Sequence, residues 1–111
     1  MAYHYTNKQN FLTSAARTSS GQSSGWRVDG WREGLLLVNI TAASGTLSIR
    51  LDVSFDDSTY YTVEDFGPYQ FASTGQYAIP ISNFGRYFRI RYTIAGTSAS
   101  FTFAVDFVGK T

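Results

Sequence analysis

Hydrophobic and polar residues alternate one for one along much of the chain from Gly34 onward. In TLSIRLDVSF (46–55), Leu47, Ile49, Leu51, Val53 and Phe55 fall on one side and Ser48, Arg50, Asp52 and Ser54 on the other. A period of two predicts a strand with one dry face and one wet face. The same alternation sets Phe88, Ile90, Tyr92 and Ile94 against Tyr87, Arg89, Arg91 and Thr93. It then lines up Phe101, Phe103, Val105 and Phe107 on the last strand. GLLLVNITAA (34–43) begins with a continuous apolar run instead, as in a strand covered on both faces.

Turn signals separate these runs. Ala43-Ser44-Gly45 reads as a hairpin connection, DDST (56–59) as a turn, and Ala95-Gly96-Thr97-Ser98 as a second hairpin. Between them lie YYTVEDF (60–66), a short YQF after Gly67-Pro68, and GQYAIPI (75–81). Pro80 assigns this last run to a sheet edge, because proline has no N–H to give a ladder. Roughly seven or eight short strands with turns every 8–12 residues and no sustained helical period predict an all-β antiparallel sandwich, jelly-roll or immunoglobulin-like.

The sandwich domain is expected over 34–111, preceded by an extended N-terminal arm over 1–33. The arm is rich in Ser, Thr, Gly, Gln and Asn, and its apolar residues keep no sustained period. TSSGQSSG (18–25) reads as a flexible loop or linker, and 10–16 as a short strand that the arm contributes. The arm's large apolar residues, Phe11, Leu12, Trp26 and Trp31, are candidate interface residues, because ordering such a segment needs extensive contacts.

Composition narrows the chemistry. The 111 residues carry 43% hydrophobic and 15% charged residues, enough apolar content for one packed domain. The absence of cysteine removes disulfides, thiolate metal sites and cysteine nucleophiles. A formal net charge of +1 offers no electrostatic footprint for nucleic acid. The first twenty residues contain no apolar run of signal-peptide or membrane-spanning type, so no membrane partner is expected and assembly in the cytoplasm is.

No catalytic set emerges. The single histidine, His4, lies in the arm, away from any patterned strand that would hold it beside a partner. Asp56-Asp57 has the composition of a turn whose carboxylates bond nearby amides, with calcium as the minor alternative. Glu64 and Asp65 are adjacent, so on a strand they point to opposite faces. Arg89 and Arg91 share the wet face of one strand, and Arg50 and Asp52 that of another, which predicts cross-strand ion pairs with Asp52 or Asp106. Trp26, Trp31, Tyr60, Tyr61 and Tyr69 are the candidates for a flat sugar-binding platform, although Trp and Tyr also favour buried interfaces. The chain is expected to be no enzyme and to hold no metal or cofactor.

Three stretches carry a resemblance. SAART (14–18), VSFD (53–56) ahead of a turn, and RYFRIRY (86–92) followed by GTSASFTF (96–103) resemble small β-sandwich virion proteins of tailed bacteriophages. Ala99 stands where the family pattern has proline. The resemblance runs from about residue 12 onward and brings no catalytic residue. It implies a capsid decoration, or cement, protein on the virion surface, assembled in the host cytoplasm, with the major capsid protein and sister copies as partners. The implied assembly is a homotrimer at a pseudo-threefold position. The alternative is a neck, tail or fibre component, or a carbohydrate-binding adhesion module meeting a surface glycan.

Overall fold

The computed structural model describes residues 9–28, 30–31, 33–82 and 85–110, and His4 lies outside them. Among the described residues there are eight strands and no helix: β1 (Gln9–Arg17), β2 (Gly21–Gln22), β3 (Trp26–Arg27), β4 (Glu33–Ser54), β5 (Tyr60–Thr62), β6 (Tyr69–Phe71), β7 (Gly75–Ser82) and β8 (Tyr87–Lys110). All pairings are antiparallel. The fold is all-β and sandwich-like.

Two strands are far longer than the sequence predicts, 22 residues for β4 and 24 for β8. The expected hairpins at 43–45 and 95–98 do not form. Each stretch is instead a bend through which the strand continues, and β4 pairs with β8 on both sides of it. Residues 33–44 pair with 100–110, and residues 46–54 with 87–95. The bends stack on one another. Gly45 has φ +97°, and a Cβ there would lie 2.5 Å from the Ala95 carbonyl oxygen, so this position requires glycine. Ser and Gly mark a change of direction, and here the change is a fold of the ribbon rather than a reversal of the chain.

Folding the ribbon makes two layers. The first holds β1, the second half of β8, the first half of β4, and β7. The second holds β2 and β3, the first half of β8, the second half of β4, and β5 and β6. Pro80 sits in β7, which pairs with β4 alone.

The dry faces of both layers close on one core. Leu36, Val38, Ile40, Phe101, Phe103, Val105 and Phe107 come from the first layer, and Leu47, Ile49, Leu51, Phe88 and Ile90 from the second. Phe88 meets Phe107 across the gap, edge to face at 5.7 Å between centroids. Phe55 was expected on this dry face, but β4 ends at Ser54 and Phe55 is 60% exposed. The run 60–66 also stops short as a strand. Only β5 pairs, and the chain then turns, with the Phe66 N–H bonded to the Val63 carbonyl, so Glu64 and Asp65 belong to a turn.

The segment expected to be a loose arm is laid along β8. β1 pairs with residues 101–107, with two irregularities that break its alternation. Arg17 bridges the second of them, donating to the carbonyls of Thr13, Ala15 and Phe103 while its guanidinium lies 4.7 Å from the Phe103 ring centroid. The serine-rich stretch 18–25 is an edge strip rather than a free linker. The Ile90 N–H donates to the Ser23 hydroxyl at 2.9 Å and the Ile94 N–H to the Ser20 hydroxyl at 3.2 Å. Serine hydroxyls thus stand in for missing backbone partners along the edge of β8.

Candidate functional site

The four candidate interface residues all take part in the chain's own packing. Phe11 is buried at 5% exposure, stacked on Trp26 at 5.8 Å and 8° and tilted against Phe107 at 5.9 Å. Trp31 packs on Phe107 at 6.0 Å, and its indole occupies the space a Cβ on Gly109 would need. Leu12, Trp26 and Trp31 are half-buried against the core. Phe11 is therefore buried within the chain's own packing, and the other three keep part of their surface exposed. The reason is geometric: β1 sits directly on β8, and its apolar side chains complete the end of the core around Phe107.

The five aromatic residues considered for sugar binding do not share a face. Trp26, Trp31 and Tyr69 pack against the core. Tyr60 lies on the outer face of the second layer, its ring 4.2 Å from the Arg89 guanidinium carbon. Tyr61 is the one that is largely exposed, at 58%.

The Asp56-Asp57 turn is built from its own hydrogen bonds. The Asp56 carboxylate accepts from the Ser58 and Thr59 amides, both at 2.9 Å, and from the Ser54 hydroxyl at 3.0 Å. The Thr59 and Ser58 amides, helped by the Ser54 hydroxyl, hold the Asp56 carboxyl below its usual range. The Tyr60 hydroxyl donates to the Asp57 carboxylate. Partial burial, then that bond and the charge of Asp57, push the Tyr60 phenol well up. Burial and the charge of Asp65 push Tyr69 in the same direction. These carboxylates serve the turn, and no group of three or more His, Cys, Asp or Glu able to hold a metal occurs among the described residues.

Two outer faces remain, and they differ in character. On the second layer, outward residues of β4 and β8 sit opposite one another in three successive pairs: Ser48 with Thr93, Arg50 with Arg91, and Asp52 with Arg89. Asp52 was expected on a wet face but is only 1% exposed, covered by the arginines it binds. Its Oδ2 accepts from Arg89 at 2.8 Å and its Oδ1 from Arg91 at 3.2 Å, while Arg91 also donates to the Thr62 hydroxyl at 2.9 Å.

On the first layer the outward positions are mostly apolar. Leu35 lies between Pro80 and Val108, Leu37 between Ala78 and Asp106, and Asn39 between Gln76 and Ala104. Leu35, Leu37 and Val108 are half-buried, Ala78 and Pro80 are exposed, and none belongs to the core cluster. A shallow cavity of about 310 Å³ opens on this face beside Leu37, Ala78 and Asp106. The apolar run at the start of β4 predicts cover on both faces, and among the described residues only one face receives it.

Comparison with protein-family models, with curated proteins and with solved structures finds no match.

Proposed function

We propose that this chain is a non-enzymatic structural protein of a phage virion, a decoration protein that bridges major capsid protein subunits and associates with sister copies as a trimer. The observation that carries the reading is the outer face of the first layer. A strand face left to water normally alternates to polar residues, and contiguous exposed apolar surface marks an interaction site. Here Leu35, Leu37, Ala78, Pro80 and Val108 form an apolar strip on adjacent strands, with β7 as the edge strand beside it among the described residues. The sequence resemblance to small β-sandwich virion proteins supports the same assignment, and the mechanism is mechanical: each added copy increases the contacts that must break before the shell opens.

The contact surface proposed is the first layer's outer face instead of the arm. Replacing Leu37 by Arg puts a charge at the centre of the strip without entering the core. The variant is expected to keep its thermal midpoint, but to lose self-association in light scattering and to stop co-sedimenting with capsid shells. A Leu37→Arg protein that assembles and binds shells like the wild type would refute the assignment. Copy number supplies a second test. Quantitative mass spectrometry of the virion is expected to give a ratio near one per capsid subunit, whereas a handful of copies moves the protein to the neck, tail or fibre.

A further inference from the structure

We infer that the outer face of the second layer holds a binding site for a phosphate-type tetrahedral oxyanion between the pairs Arg50–Arg91 and Ser48–Thr93. The inference is independent of the virion reading and rests on cross-strand register. Arg50 lies directly opposite Arg91. Like charges in that position repel and destabilise a sheet. On one side the repulsion is answered by Asp52, but both of its oxygens are already engaged, by Arg89 and Arg91. Arg50 makes no ion pair among the described residues. Glu64 and Asp65, on the turn that follows β5, form none with it.

On the other side of the arginine pair stands the pair Ser48–Thr93, and the four residues surround a pocket of about 160 Å³ closed by Pro68. Its lining contains two guanidinium groups, two hydroxyls and no carboxylate. The Arg50 Nη1 and Arg91 Nε groups are enclosed and have no hydrogen-bond partner among the described residues. An oxyanion seated here converts the repulsion between the two arginines into charge-assisted bonds. Donors from four residues, two cationic and two neutral, suit four oxygens better than the two of a carboxylate. Arginine, with its rigid fork of N–H groups, is the residue suited to phosphate recognition.

The test is calorimetric titration of the whole chain with inorganic phosphate, with sodium chloride at matched ionic strength as the control. One saturable site is expected, absent in chloride. Arg50→Gln is expected to weaken phosphate binding about tenfold or more, the loss of one charged hydrogen-bonding group. That variant removes a like charge, so it should fold at least as well as the wild type. Thr93→Val, at an exposed position, is expected to weaken binding by a smaller factor. Glycerol phosphate and a phosphodiester, run as competitors, separate a free anion from an esterified one, and displacement by either supports the site. Equal heats from phosphate and chloride, unchanged affinity in Arg50→Gln, or acetate binding as tightly as phosphate would each overturn the proposal.

Discussion

Phe11→Ala distinguishes an N-terminal segment that belongs to the domain from one that merely trails from it. Phe11 is 5% exposed, stacked on Trp26 and in contact with Phe107, which itself meets Trp31 and Phe88. Truncating a buried phenylalanine to alanine costs about 3–5 kcal/mol, the transfer term plus the cavity left behind. A domain of this size has in total roughly 5–15 kcal/mol of stability. The loss is thus a large share of the whole, and it would move a urea midpoint by about 2 M at an ordinary slope. The same substitution in a free, solvated arm would change stability by less than about 0.5 kcal/mol. The two cases differ so much that one pair of urea curves, followed by tryptophan fluorescence and far-UV circular dichroism together, decides between them. A shift below about 0.5 kcal/mol with both probes coincident would refute the docking of β1 on β8. By the same reasoning, deleting residues 1–31 should unfold the sandwich, because it removes β1, Val28 and the aromatic cluster around Phe107 at once.

Asp52→Asn leaves Arg89 and Arg91 without their carboxylate, and about 2 kcal/mol of destabilisation is expected. That is less than for a fully enclosed pair, because Arg91 is 42% exposed, and chemical denaturation reads it directly. A neutral outcome would mean that Asp52 is not holding the two strands. Acid titration reports on the turn at Asp56. A carboxyl held below its ordinary value gives stability that is present above the unfolded value of 3.8 and is lost as pH falls through the lower folded value. The amide resonances of Ser58 and Thr59 are therefore expected to titrate together below pH 3.8. A midpoint at or above that value would show that their bonds to Asp56 are not made.

The faces of the long strands were legible because alternation is a local property. Leu47, Ile49 and Leu51, and likewise Phe101, Phe103 and Phe107, can be placed in the core from their neighbours alone. The bends at Gly45 and Gly96 were not. A glycine with positive φ serves a hairpin and a folded strand equally well, and only the distant partner, β8 for β4, decides between them. The arm's strand was partly hidden by its own irregularities. Between Asn10 and Ala15 the register slips twice, so Phe11 and Leu12 keep no clean period, and nothing in the sequence marks Arg17 as the residue that satisfies the stranded carbonyls. In the candidate anion site each arginine was visible in the sequence as a wet-face residue. Their confrontation was not, since the pairing of Arg50 with Arg91 depends on register between segments forty residues apart.

The two ribbons that cross from one layer to the other set how the molecule carries a load. In a sandwich joined only by loops, a pull on one sheet is resisted by soft apolar packing, and the sheets can peel apart. Here β4 and β8 run through both layers and are hydrogen-bonded on either side of the fold. A force that tries to separate the layers is taken up as tension along two covalent chains and as shear across their ladder. The bend at Gly45 cannot let the halves part while the ladder holds. The two crossings are themselves the short exposed bends at Gly45 and at 96–98, so cleavage there would cut the covalent path between the layers while leaving the ladder paired on either side.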